Sequence, residues 1–61
     1  MKVVGVRFLG SDKTYYYFTN KEYRVGQVIT IRTPNSGDAE VEIVEINSNV
    51  RVYGMKQLQE V

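Results

Sequence analysis

Histidine, cysteine and tryptophan are absent from this sequence, and proline occurs once. Without cysteine no disulfide can staple the fold, and with histidine missing as well the ordinary zinc, haem and iron–sulfur sites are excluded. The missing imidazole removes the usual general base. Hydrolase triads built on Ser, Cys or Thr are therefore excluded, and no catalytic residue, metal site or cofactor is expected. Long apolar runs are missing too: Met1 to Leu9 is interrupted by Lys2, Gly5 and Arg7. That segment reads as neither a signal peptide nor a membrane span, and a cytoplasmic location is expected. No charge sign dominates, because eight basic against seven acidic residues leave a net charge of +1. Affinity for nucleic acid or membrane would thus have to come from a local patch and not from a global field.

What is present points to β-structure. Val, Ile, Tyr and Thr are abundant, and apolar positions recur with period two in short runs bounded by turn residues. Residues 1–61 make one small domain, near the lower limit for unaided folding, where only about 60% of the unfolded surface is buried. In the first run, Lys2 to Leu9, Val4, Val6 and Phe8 form a core face, with Val3, Gly5, Arg7 and Leu9 opposite. Gly10 to Lys13 is turn-forming and leads into a second strand, Thr14 to Thr19. A connecting loop of three or five residues puts Tyr16 and Phe18 on the side of Phe8; two or four puts Tyr15 and Tyr17 there. The odd loop is preferred, since phenylalanine has no hydroxyl to satisfy.

Asn20 to Gln27 reads as a polar loop with at most one helical turn, for which Thr19-x-x-Glu22 offers a capping pattern. Gly26 stands where a bend is expected. A third strand, Val28 to Thr33, turns Ile29 and Ile31 inward and Thr30 and Arg32 outward. After the Pro34 to Asp38 connection, a fourth strand from Ala39 to Ile46 changes phase, with Val41 and Ile43 in one register and Val44 and Ile46 in the other. This predicts a β-bulge or sharp bend near Ile43-Val44. Asn47 to Asn49 reads as a turn and Val50 to Tyr53 as a short strand. Met55, Leu58 and Val61 are spaced for either a helical turn or a closing strand, and the latter is preferred. The fold expected is all-β: a small five-stranded, SH3-like or OB-like, partly open barrel.

Several chemical patterns occur along the chain. Glu40 and Glu42 share a strand face about 7 Å apart, but two carboxylates alone read as a solvated face. Gly5 to Ser11 has the glycine spacing of a phosphate-binding loop, yet Ser11-Asp12 stand where Lys and Ser or Thr are required, and no helix follows. Asp38 lacks the companion acids of a calcium loop. Lys13, Lys21, Arg24, Arg51 and Lys56 lie mainly in turns and read as solvated charges. The remaining constellation is aromatic and basic. With the odd loop, Arg7, Tyr15, Tyr17 and Arg32 face outward from neighbouring strands, joined by Thr30. Such a face suits a protein partner, whose hot spots favour these residue types, or single-stranded DNA or RNA, where a stacked base is worth about 1–3 kcal/mol. The structural alternative is that Tyr15 and Tyr17 pack across strands against Val28 and the arginine stems.

Val3-Val4-Gly5-Val6-Arg7-Phe8, Tyr15-Tyr16-Tyr17-Phe18 and Val25-Gly26-Gln27-Val28-Ile29 resemble the N-terminal segment of bacterial proteins that carry the polymerase-suppressor (PSP-type) C-terminal region. More loosely they are similar to the DNA-end-binding barrel of the primosomal replication-restart helicase. The likeness spans roughly residues 3 to 46. It implies a small barrel that docks within machinery handling DNA or RNA and carries no catalytic residues. The chain departs from that pattern at Glu40-Val41-Glu42, where those families tend to place glycine, and in ending at Val61 where they continue. The expectation is a non-enzymatic interaction module or accessory protein, from a host or a mobile element, that binds a protein partner. Direct single-stranded nucleic-acid binding and a homodimer or higher assembly through an unpaired sheet edge are the alternatives, and no membrane partner is expected.

Overall fold

The computed structural model describes residues 2–34, 37–47 and 54–61. Among these residues four antiparallel strands, β1 (Lys2–Phe8), β2 (Thr14–Thr19), β3 (Val28–Thr33) and β4 (Gly37–Asn47), form one sheet in the order β2-β1-β4-β3. Two hairpins thus meet along the β1–β4 seam. The alternation in β1 and β3 places side chains as their sequences require: Val4, Val6, Ile29 and Ile31 are buried, while Arg7 and Arg32 are exposed. Val3, although on the opposite phase, is also buried, between its cross-strand partners Phe18 and Asn47.

The expected irregularity in β4 is present. Val6 pairs with Ile43 but Gly5 pairs with Glu45, so Val44 is the extra residue of a bulge. Across it, Val41 and Ile43 on one side and Ile46 on the other all reach the same core. Gly26 also has the predicted role. It takes φ 94° in a turn closed by the Gln27 N–H donating to the Arg24 carbonyl at 3.0 Å, a conformation that L side chains rarely adopt.

The facing of β2 is the reverse of the expected one. Arg7 pairs with Thr14, Val6 with Tyr15 and Val4 with Tyr17. Directly opposed residues share a face, so Tyr15 and Tyr17 lie on the core side and Tyr16 and Phe18 on the other. The closing pair is Arg7–Thr14 because Phe8 leaves the ladder to accept the Ser11 N–H at 3.0 Å in a turn. Hydroxyls are no obstacle here. Tyr15 sits at the margin of the sheet, 43% exposed, with its ring edge-on to Phe8 at 5.4 Å.

Two core members come from segments outside the sheet. Tyr23, in the loop between β2 and β3, and Leu58, near the C-terminus, are buried against Val4, Val6, Ile29, Ile31, Val41 and Ile43. No helical turn forms in that loop. The Thr19 hydroxyl accepts the Lys21 N–H at 3.1 Å, and the Glu22 carboxylate pairs with Lys2. The expected short strand over 50–53 lies outside the described residues. The tail that follows is extended rather than helical and makes single bridges to both sheet edges, Gln57 to Phe18 in parallel and Glu60 to Ile31 in antiparallel sense. Four main-chain hydrogen bonds of 2.7 to 3.1 Å accompany them.

Candidate functional site

On the outer face of the sheet Tyr16 crosses over Gly5. A Cβ at Gly5 would stand 3.1 Å from Tyr16 Cε1 and 3.1 Å from Thr14 Cγ2, which explains a glycine in mid-strand. Arg7 and Arg32 belong to this same face, as expected, but so does the acidic row of β4. Arg7 Nη2 lies 3.3 Å from Glu42 Oε1, and Arg32 Nε lies 3.8 Å from Asp38 Oδ1. Glu40 and Glu45 are also on this side, by their pairing with Thr30 and Gly5. Two guanidinium groups against four carboxylates make a face that repels phosphate.

Arg7, Tyr15, Tyr17 and Arg32 therefore do not form one surface. Arg7 is held among carboxylates, and Tyr15 packs on Phe8. Tyr17 and Arg32 are brought together, at a different place. They line an open cleft of about 760 Å³ between the end of β2 and the end of β3, together with Phe18, Pro34, Met55 and Lys56. The bulged sheet curls far enough for the tail to touch both edges, and the cleft is the gap left where the tail enters. Tyr17, Phe18, Pro34 and Met55 give it apolar surface, beside the polar Thr33, Gln57 and Gln59. Its cations are Arg32, whose side chain is 72% exposed, and Lys56, which has no ion pair among the described residues. Sequence reasoning missed Phe18, Met55 and Lys56, because the tail reaches β2 only through long-range pairing.

A second, smaller cleft lies between the β2–β3 loop and the tail. The Tyr23 hydroxyl there donates to Glu60 Oε1 at 2.7 Å, and Lys21 Nζ stands 3.6 Å from the same oxygen. The Tyr23 phenol is pushed up to about 12, first by burial and then by the hydrogen bond to and charge of Glu60, against a smaller opposing contribution from Thr19. A phenol held protonated this firmly fastens the tail; it does not accept protons near neutral pH. Among the described residues no group of three or more Asp, Glu, His or Cys side chains is placed to hold a metal ion, and no helix is long and apolar enough to cross a membrane. No protein family, curated protein or solved structure matches the chain.

Proposed function

We propose that this domain is a non-enzymatic interaction module, and that it engages a protein partner through the cleft bordered by Tyr17, Phe18, Arg32 and Lys56. The observation that carries this reading is the cleft itself, lined by aromatic and aliphatic side chains together with two cations, between the edges of a sheet. Aromatic anchors and arginine are the residues that dominate protein-binding hot spots. The acidic outer face argues against the same domain tracking a phosphate backbone there. The tail, bridging both sheet edges, supports reading the sheet as a small, partly open barrel of the SH3-like or OB-like kind. The resemblance of the first three strands to barrels of DNA- and RNA-handling proteins supports a cytoplasmic partner in that machinery, with the chain as an accessory or mobile-element protein.

The test is affinity capture from the native cell, with and without nuclease, using the wild-type chain and the Arg32→Gln/Lys56→Gln variant. Both charges are exposed, so the variant should melt within a few degrees of wild type. A protein captured by wild type in nuclease-treated lysate and lost from the variant supports the reading. Capture that disappears on nuclease treatment assigns the cleft to single-stranded nucleic acid instead.

A further inference from the structure

Phe18 directs both of its main-chain hydrogen-bonding groups away from β1. Its N–H donates to the Lys56 carbonyl at 3.1 Å, and its carbonyl accepts from the Leu58 N–H at 2.9 Å. These groups alternate sides along a strand, so Tyr16 and Thr14 direct theirs the same way. No main chain among the described residues takes them on that side. Thr14, Tyr15 and Tyr16 are all exposed, which leaves the edge open to approach. An edge with unspent donors and acceptors is a template for an added strand.

This open stretch leads into the cleft. The tail runs parallel to β2 at the Phe18–Gln57 bridge, so Lys56 and Met55 lie on the Tyr16 side of it. A strand laid along Thr14 and Tyr16 reaches the cleft's apolar surface and meets Lys56 and Arg32. Lys13 flanks the other end and, like Lys56, makes no ion pair among the described residues. Asp12, Asp38 and Glu45 are the nearby carboxylates; Asp38 already faces Arg32, and Glu45 accepts from the Tyr16 hydroxyl at 3.5 Å. The cleft that the path enters is lined by two cations, Arg32 and Lys56, and, among the described residues, by no carboxylate.

Resting on the protein-docking reading of the cleft, we infer that the partner's contact segment is an extended, acidic peptide that adds to β2 as a further strand. Its main chain bonds to Thr14 and Tyr16, one apolar side chain enters the cleft, and neighbouring carboxylates meet Lys56 and Arg32. Unspent main-chain groups in register favour a peptide over a nucleic acid, which has no complementary ladder to offer.

The experiment is a random-peptide display selection on the immobilised full chain, followed by nitrogen-15 NMR titration with the synthetic peptides it enriches. The expected peptides carry surplus Asp and Glu around one apolar residue and slow the exchange of the Thr14 and Tyr16 amides. Lys56→Glu should weaken them about five-fold or more, a loss typical of reversing one interfacial charge. Enriched peptides that are basic, or that shift resonances away from Thr14 and Tyr16, overturn the inference while leaving a protein-binding module. If no peptide is enriched and oligo(dT) shifts Tyr17, Phe18 and Lys56 instead, both readings fall.

Discussion

Leu58→Ala separates a tail that belongs to the core from one that merely lies on it. Leu58 is 7% exposed and packed among residues of β1, β3 and β4 together with Tyr23. Removing three carbons forfeits roughly 2.4 kcal/mol at about 0.8 kcal/mol per buried methylene, and core Leu→Ala changes cost about 2–5 kcal/mol once a void remains. This site should fall near the lower end, about 2–3 kcal/mol, because a terminal segment held by few bonds can lift away and let water in. A chain of this length has only about 3–9 kcal/mol of stability in total, so the loss corresponds to roughly 8–24 °C in Tm. Urea unfolding gives the global figure and amide exchange gives its origin. The amides of Phe18, Arg32, Leu58 and Val61, all bonded between tail and edges, should lose protection. Those of Val4 and Val6, in the central strand, should keep theirs. A loss under about 0.5 kcal/mol with unchanged exchange at the four edge amides would refute the tail's place in the core.

Other residues give sharp tests as well. Tyr23→Phe removes the 2.7 Å bond to Glu60 and should cost about 1–2 kcal/mol by urea unfolding near neutral pH. Because the folded phenol is raised from 10.0 to about 12, its contribution is complete below pH 10 and lost as pH climbs from 10 to 12. The stability difference between wild type and variant should shrink over that window and nowhere below it. Gly5→Val drives a side chain into Tyr16 and Thr14, which a Cβ alone would meet at 3.1 Å, and should cost about 1–3 kcal/mol. Gly5→Ala should also destabilise, by less than Gly5→Val, because the Tyr16 ring can turn aside whereas Thr14 Cγ2 at 3.1 Å and Glu45 Cβ at 3.2 Å are held close to their main chains. The Tyr15→Ala/Tyr17→Ala double variant should lose about 2–4 kcal/mol in thermal unfolding, as both rings lie on the core side; a fully stable variant would return them to the surface.

The strands that alternate apolar and polar residues declare their faces in the sequence. Val4, Val6, Ile29 and Ile31 are buried as their spacing requires, and the broken phase of β4 marks its bulge. The second strand gives no such signal. Tyr15 to Phe18 are all aromatic, so either face is apolar, and the choice passes to a loop whose closing pair depends on one turn at Phe8. That single uncertainty scattered the expected binding surface: Arg7 and Arg32 share a face, Tyr15 and Tyr17 lie on its other side, and Tyr17 meets Arg32 only at the cleft between the sheet edges. Tyr23 is a different case, and Leu58, although its spacing with Met55 and Val61 marks a closing segment, is not placed in the core by that spacing. Both stand in largely polar stretches, and only contacts across the whole fold show that they are core. The cleft inherits the difficulty, because one wall is a tail without regular structure.

Val44 has a further consequence for how this chain tolerates change. Removing one residue from a strand ordinarily turns every later side chain inside out. Here the deletion of Val44 would leave Ile43 inward, Glu45 outward and Ile46 inward, an unbroken alternation. Insertion and loss of this residue are therefore neutral to the identity of the core and act on curvature alone, since a bulge is what bends and twists the strand. A flatter sheet would carry its two edges apart, and the tail could no longer touch both. A single heritable step would thus widen or close the cleft while every buried residue of the sheet kept its inward face, and weakened protection of the Leu58 and Val61 amides would register it.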